Sequence, residues 1–188
     1  MVLLHLLQQL PYTIAIAHCN FQLRGDESER DEAFVKSLGE KYGVQVLIKK
    51  FDTNTIAALE KKSIETTARD LRYDWFNQLI NQPDKIADYV LTAHHADDNI
   101  ETVTMNFFRG TGIAGIRGIQ AKQGKLVRPL LFARRNELEI FATENKLLFV
   151  TDSTNVENDY TRNFFRNIIL PKVSEVYPDT SKNVLHNI

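Results

Sequence analysis

The chain has 188 residues, 43% of them hydrophobic and 25% charged, with a formal net charge of −1. That length buries one sizeable core, and the near-neutral balance excludes a protein that is basic all over. No apolar run approaches the roughly 20 residues needed to span a bilayer, and the single cysteine, Cys19, excludes a disulfide framework or a cysteine-built metal site and implies a reducing, cytoplasmic setting.

Met1 to Leu10 reads as a helix, since its apolar residues recur on one side with no breaker before Pro11. It has neither a basic leader nor a small-residue cleavage site, so it is not read as a signal peptide. Thr13 to Cys19, TIAIAHC, fits a strand buried on both faces. Ser28 offers an N-cap for a helix carrying Phe34, Leu38 and Tyr42, which Gly43 ends. Val44 to Phe51 is a second strand. Ser63 caps the next helix, with Ile64, Ala68, Leu71, Trp75 and Leu79 as its apolar stripe. Asp88 to His95, DYVLTAHH, is a third buried strand, and Ile100, Val103 and Phe107 mark the helix after it. Gly110, Gly112, Gly115 and Gly118 then break regularity, and a hairpin follows that turns at Gln123-Gly124. Arg134 to Lys146 and Tyr160 to Ile169 read as helices.

Strands alternating with helices predict an α/β fold, a doubly wound parallel sheet in which ligands sit beyond the carboxyl ends of the strands. Residues 1–133 form this domain in the expected organisation, and 134–188 form a small helical segment that completes it. The loops after Cys19, Phe51 and His94 are where chemistry is expected.

Charge is segregated along the chain. From Arg109 to Arg135 there are seven cations, Arg109, Arg117, Lys122, Lys125, Arg128, Arg134 and Arg135, and no acid, whereas Asp26 to Glu32 is almost wholly acidic. Such segregation suits a face for phosphates, although basic side chains also simply keep a surface wet.

The segment His94 to Thr102, HHADDNIET, starts a helix with two imidazoles and three carboxylates at the ligand end of a strand. Asp98 and Glu101, three apart, share a helix face and could bind an ammonium group, hold a magnesium ion or act as a base. Acids at a helix start also favour its dipole, which is the simpler explanation for Asp97 or Asp98. In Glu65 to Phe76, Arg69 and Arg72 share another face; a phosphate would satisfy both guanidinia, and so would salt bridges to Glu65 or Asp70. The glycines of Arg109 to Gly118 allow backbone amides to face an anion, but not at the spacing of a Walker loop or a dinucleotide fingerprint. After His18, Asn20 and Arg24 leave the ligand edge of the first strand, and Gly25 permits the turn; Cys19 reads as a packing residue rather than a nucleophile. In Asp152 to Pro171, Arg162 and Arg166 share a helix face that could lie against a nucleic acid backbone, or belong to a solvated helix with Phe164, Ile168 and Ile169 inward.

Five stretches, taken in this order, resemble the tRNA(Ile)-lysidine synthetases of the PP-loop ATPase superfamily. They are HCNFQLRGDESERD, ETTARDLRYDWF, TAHHADDNIETVTMNFFRGTGIAGIRGI, RPLL and DSTNVENDYTRNFFRNIILP. The resemblance implies a PP-loop/HUP-like, Rossmann-like fold and a ligase that uses ATP and Mg2+ to adenylate the carbonyl oxygen of a wobble cytidine in tRNA(Ile). Free lysine then displaces AMP through its amine. By the same resemblance Asp98 and Glu101 orient that amine, with His94 and His95 lining the junction of nucleotide and base. Arg69 and Arg72 offset charge on the leaving pyrophosphate, and Ala17, His18 and Asn20 lie by the adenine and ribose. Arg24, Arg109, Arg117, Arg128, Arg162 and Arg166 meet the tRNA, and a homodimer is a further possible partner arrangement.

This sequence departs from the family pattern. The phosphate loop S-G-G-x-D-S and the first strand before it are not found, with MVLLHLL matching the helix that follows them; Phe21 stands where histidine is frequent. These 188 residues are therefore expected to form little or no lysidine by themselves. Two other functions are weighed: tRNA thiolation, which usually needs paired cysteines, and a non-catalytic RNA-binding relic.

Overall fold

A computed structural model describes residues 1–150 and 161–188. By internal contacts the chain groups into two compact units, Leu4–Val90 and Leu91–Ile188, the second also taking in Met1–Leu3. Helix α1 is Val2–Leu7.

The unit Leu4–Val90 is built on a strand–helix–strand crossover. Strand β1 (Ala15–Asn20) runs parallel to β2 (Gln45–Lys50), in register from Ala15 opposite Gln45 to Asn20 opposite Lys50. Helix α2 (Asp26–Tyr42) makes the crossover that parallel pairing requires. It approaches β2 so closely at Gly39 that a Cβ there would overlap the Val46 side chain. The expected stop holds: Gly43 ends α2 in the left-handed region at φ 62°. The expected start does not. Helix α2 begins at Asp26, and the Ser28 hydroxyl, already inside the helix, accepts from the Arg24 amide at 3.2 Å. Asp26, Glu27 and Glu29 in the first turn favour that earlier start through the helix dipole. Strand β1 is half-buried rather than buried on both faces, Asn20 being its one buried residue; α2 packs on both strands, and a single covering helix shields a single face.

Helix α3 (Thr53–Glu60) was not anticipated; Asp52 caps it by accepting from the Thr55 amide at 3.2 Å. Helix α4 (Ile64–Asn81) starts as expected, with Ser63 accepting from the Thr66 amide at 3.1 Å. Trp75 and Leu79 of its stripe are buried, together with Leu38, Phe51, Ala57 and Ile80, while Ile64 at the helix start is exposed.

The expected third strand shortens to β3 (Val90–Leu91), which spans the sequence boundary of the two units. In the second unit, helix α5 (Ala96–Arg109) and the short α6 (Gly112–Ile116) precede the hairpin of β4 (Lys122–Gln123) and β5 (Leu126–Val127). The three strands lie in the order β3-β5-β4, so the ladder offered to β3 is only two residues long. The hairpin turns on Gly124-Lys125, one residue later than expected, with Gly124 at φ 59°. The glycine-rich stretch is docked rather than irregular: Gly118, at φ 64°, lies so close to Asn99 that a Cβ would collide with it, and Asn99 Oδ1 accepts from the Ile119 amide at 2.6 Å. Helix α7 (Arg135–Glu144) follows as expected. Then come α8 (Thr161–Phe164), a π-helical turn (Phe165–Ile169), α9 (Leu170–Val176) and α10 (Thr180–His186). Phe164 and Ile168, expected inward, are partly exposed, and Asn163 is buried in their place; residues 152–160 of that motif lie outside the described residues. The core of this unit includes Ala96, Ile100, Val103, Leu130, Ala133, Ala142 and Leu147. Among the described residues no helix is long and apolar enough to cross a membrane.

Candidate functional site

In the unit Leu4–Val90, β1 ends on Asn20, whose side chain knots the following loop to α2. Its Nδ2 donates to Glu29 Oε1 at 3.1 Å and Glu32 Oε2 at 2.9 Å, and its Oδ1 accepts from the Gln22 amide at 3.0 Å. Lys50, at the end of β2, donates to both Glu29 oxygens at 2.8 Å, and Lys36 donates to Glu32 at 2.8 Å. The Lys36 and Asn20 hydrogen bonds hold the Glu32 carboxyl down at about 2, from an ordinary value of 4.5. A carboxyl lowered on folding stabilises the fold above its ordinary value, and that contribution fades as pH falls through the folded value. Glu32→Gln is therefore expected to lower stability at neutral pH and to flatten its decline between about pH 4.5 and 2. Urea titrations across that range check it; parallel wild-type and variant curves would contradict it.

Next to Asn20, the His18 Nε2 atom is buried without a hydrogen-bond partner among the described residues. Burial lowers the imidazole below its ordinary 6.5, which leaves it neutral at physiological pH. Ala17 lies in the ladder opposite Leu47. Burial pushes the Cys19 thiol up to about 11, so it is no thiolate nucleophile at neutral pH.

Arg24 is tied to Asp31 at 2.8 Å and Glu27 at 3.6 Å. Arg69 and Arg72 differ. Neither has a carboxylate partner among the described residues, and Asp70, which could have served, binds Lys62 at 2.8 Å. Their guanidinia lie over aromatic rings instead, Arg69 at 5.0 Å from the Tyr73 centroid and Arg72 at 5.1 Å from that of Phe21. Phe21 in turn stacks on Phe51 at 5.6 Å. Ring stacking fixes a guanidinium plane while leaving its N–H edge for an anion. Tyr73 is legible beside Arg69 from their spacing of four on a helix, whereas Phe21 and Arg72 are distant in sequence and meet only through the fold.

The unit Leu91–Ile188 holds the second cluster, at the start of α5. His95 caps the helix reciprocally with Asp98: the His95 amide donates to Asp98 Oδ2 at 2.9 Å, and the Asp98 amide donates to His95 Nδ1 at 3.3 Å. Capping thus occupies one Asp98 oxygen and leaves the other, Oδ1, to face Arg162 Nη2 at 3.1 Å. One turn on, Glu101 has a side chain only 2% exposed. Its Oε1 accepts from Arg166 Nε at 2.6 Å, and its Oε2 accepts from Arg162 Nε at 2.6 Å and Arg166 Nη2 at 3.0 Å. Glu101 and Asp98 raise the Arg166 guanidinium above its already high ordinary value. Asp97 accepts from Arg134 at 2.7 and 3.0 Å and from the Arg135 amide at 2.7 Å. Burial pushes the Asp97 carboxyl up, but these donors outweigh it and hold the group below its ordinary range. His94 contacts Thr92 Oγ1 through Nδ1 at 2.8 Å.

Arg162 and Arg166, expected to face a nucleic acid, point inward to these carboxylates. A carboxylate as buried as Glu101 requires paired charge, and two guanidinia four apart across the α8–π junction provide it. The sequence displayed both arginines on one face but not the carboxylate they meet, 61 and 65 residues away. Arg128, also expected at an RNA surface, is 6% exposed and pins the hairpin through the Gln120 carbonyl at 2.6 Å. Arg109 and Arg117 are exposed and without an ion-pair partner among the described residues.

Beside Glu101 opens a cleft of about 580 Å³, lined among others by Asp97, Arg134, Arg135, Glu139 and Arg166. This volume lies within the roughly 300–1,000 Å³ of small-molecule sites. Charges of both signs on its walls suit a zwitterion. They do not suit magnesium, because each of the three carboxylates at the start of α5 is engaged by a guanidinium, and no group of three or more His, Cys, Asp or Glu among the described residues could hold a metal.

Residues 1–173 match the family model of the PP-loop domain. A tRNA(Ile)-lysidine synthase from Bacteroides thetaiotaomicron is 43% identical over 183 residues, which cover 97% of this chain and 42% of that protein. One from Chlorobaculum tepidum is also 43% identical, over 93% of this chain and 54% of its own length. The chain thus spans about half the length of these relatives, or less. Among solved structures, a U34-tRNA thiolase from Methanococcus maripaludis with a [4Fe-4S] cluster superposes with a TM-score of 0.73 at 16% identity, over 99% of this chain and 65% of that one. At that identity the likeness is one of fold.

Proposed function

This chain belongs to the PP-loop domain family, and from that membership we propose that it forms the ATP- and lysine-handling core of a cytoplasmic tRNA(Ile)-lysidine synthase. In this reaction ATP adenylates the carbonyl oxygen of the wobble cytidine, and the lysine side-chain amine displaces AMP. The observation that carries the proposal is the buried Glu101, held with Asp98 between Arg162 and Arg166 beside a charged cleft.

The arrangement meets two needs of a lysine nucleophile. The ammonium must be positioned, and it must lose a proton before it attacks. Asp98 Oδ1 is the most loosely held carboxylate oxygen of the pair, with guanidinium contacts at 3.1 and 3.9 Å, so it has acceptor capacity left for an ammonium. Arg162 and Arg166 disfavour a third cation beside them and so lower the pKa of the incoming amine. Carboxylates to hold the amine and guanidinia to free it belong together in such a site.

In the other unit, Arg69 keeps its N–H edge for the departing pyrophosphate beside Arg72, which also bonds the Cys19 side chain, and the adenine lies by Ala17 and His18 near the end of β1. Asn20 shapes the loop beside them. His94 and His95 border the junction of nucleotide and base, His95 by capping α5. Sulfur transfer lacks support, since the one cysteine is a half-buried neutral thiol.

The proposal is tested by supplying the chain with an N-terminal strand bearing S-G-G-x-D-S and measuring transfer of labelled lysine to tRNA(Ile). Incorporation that depends on ATP and releases AMP is expected. Binding of tRNA with neither ATP consumption nor incorporation would identify an RNA-binding relic instead.

A further inference from the structure

We propose that the far end of α5, with α6, forms a stacking platform for the unpaired bases of an RNA loop; the inference rests on the tRNA reading above. Helix α5 begins among buried carboxylates and ends on two exposed rings, Phe107 at 65% and Phe108 at 66%. The rings meet edge to face, 5.5 Å between centroids, and Phe165 of the π-helical turn backs Phe108 at 5.8 Å. Gly110, at φ 69°, ends the helix, and α6 is fastened back onto it. Asn106 Nδ2 donates to the Gly115 carbonyl at 2.9 Å, and the Thr111 hydroxyl donates to the Asn106 carbonyl at 3.1 Å. Ile113 of α6 is 81% exposed. The backbone is thus held firmly while it presents apolar side chains to water, an arrangement that forfeits burial and marks a binding surface.

Charge selects the occupant. Arg109 directly follows the two rings and Arg117 directly follows α6; both are exposed and neither has an ion-pair partner among the described residues. The segment Arg109 to Gly118, which includes all of α6, contains no acid. Exposed aromatic faces flanked by unpaired guanidinia are the composition of single-stranded nucleic acid sites, where bases stack and cations follow the phosphates. An apolar protein partner would not call for cations without a single acid. In this arrangement Phe107 and Phe108 take bases, and Arg109 and Arg117 take the backbone.

The test measures fluorescence anisotropy of two RNAs with the 188-residue chain, a tRNA(Ile) anticodon stem–loop and a fully paired duplex of the same stem. Replacing both rings, Phe107→Ala with Phe108→Ala, is expected to weaken stem–loop binding by about 5- to 150-fold per stacked base and to leave duplex binding unchanged. Arg109→Ala with Arg117→Ala should weaken both RNAs and shallow the salt dependence. Phe107→Trp should retain affinity and show indole quenching when the loop binds, a readout that does not depend on a truncated variant folding. Wild-type loop affinity in the double Phe variant, or a chain dimer that the ring substitutions dissolve, would overturn the platform while leaving the tRNA reading intact. Failure of the wild-type chain to bind either RNA would overturn both.

Discussion

Asp98→Asn is expected to lower kcat/KM for lysine in the transfer reaction by about 100-fold, equivalent to about 2.7 kcal/mol of transition-state stabilisation. The substitution separates the two duties of this residue. An asparagine carbonyl still accepts from the His95 amide, which Asp98 now holds at 2.9 Å, so the cap of α5 survives. What disappears is the negative charge on Oδ1, which faces Arg162 Nη2 at 3.1 Å. The substitution also sets an amide nitrogen against Arg162, which keeps its bond to Glu101, so the unfolding temperature should fall modestly while turnover collapses, and a lysine concentration series on the S-G-G-x-D-S-bearing chain reads the difference. Wild-type turnover in Asp98→Asn would mean that the carboxylate serves the helix alone.

Glu101→Ala should instead strike the fold. It leaves two guanidinia facing an interior site, and removing one member of a buried ion pair costs roughly 3–5 kcal/mol. Arg162 and Arg166 retain 31% and 23% exposure, which lets water reach them and places the loss near the lower bound, about 3 kcal/mol. In a chain of this size that lowers the melting temperature by about 6–12 °C. Removing Arg166 as well, in a Glu101→Ala/Arg166→Ala variant, should cost less than the sum of the single losses, because the pair shares one network. Strict additivity, or a melting temperature unchanged in Glu101→Ala, would contradict the geometry described for this carboxylate.

The alternation of strands and helices was legible because it rests on local signals. Ser63 and Gly43 act at the helix boundaries where they were expected, and β1 and β2 fall within a residue or two of their apolar runs. Helix α3 escaped notice because its cap, Asp52, directly follows a strand, and its apolar residues are too few to show a period. Ser28 is not the cap because Asp26, Glu27 and Glu29 stabilise an earlier start of α2, which takes the hydroxyl inside the helix. At the site, Asp98 and Glu101 stood out by their spacing and their place after a strand. Their partners did not. Whether an arginine faces solvent, phosphate or a distant carboxylate depends on tertiary contacts, so Arg162 and Arg166 looked the same as Arg109 and Arg117. The structure separates them: the first two neutralise buried acids, and the second two remain free of ion pairs among the described residues. Arg128 shows the same limit, a cation counted toward a basic surface that proves to be interior.

The most direct measurement is calorimetric titration of the 188-residue chain with free lysine and, separately, with norleucine, which has the same aliphatic stem without the terminal amine. If the acids at the head of α5 receive that amine, lysine gives a saturable isotherm, norleucine gives none, and Asp98→Asn abolishes the lysine signal in a chain that still unfolds cooperatively. Equal isotherms for the two amino acids, or a lysine isotherm indifferent to Asp98→Asn, would contradict it.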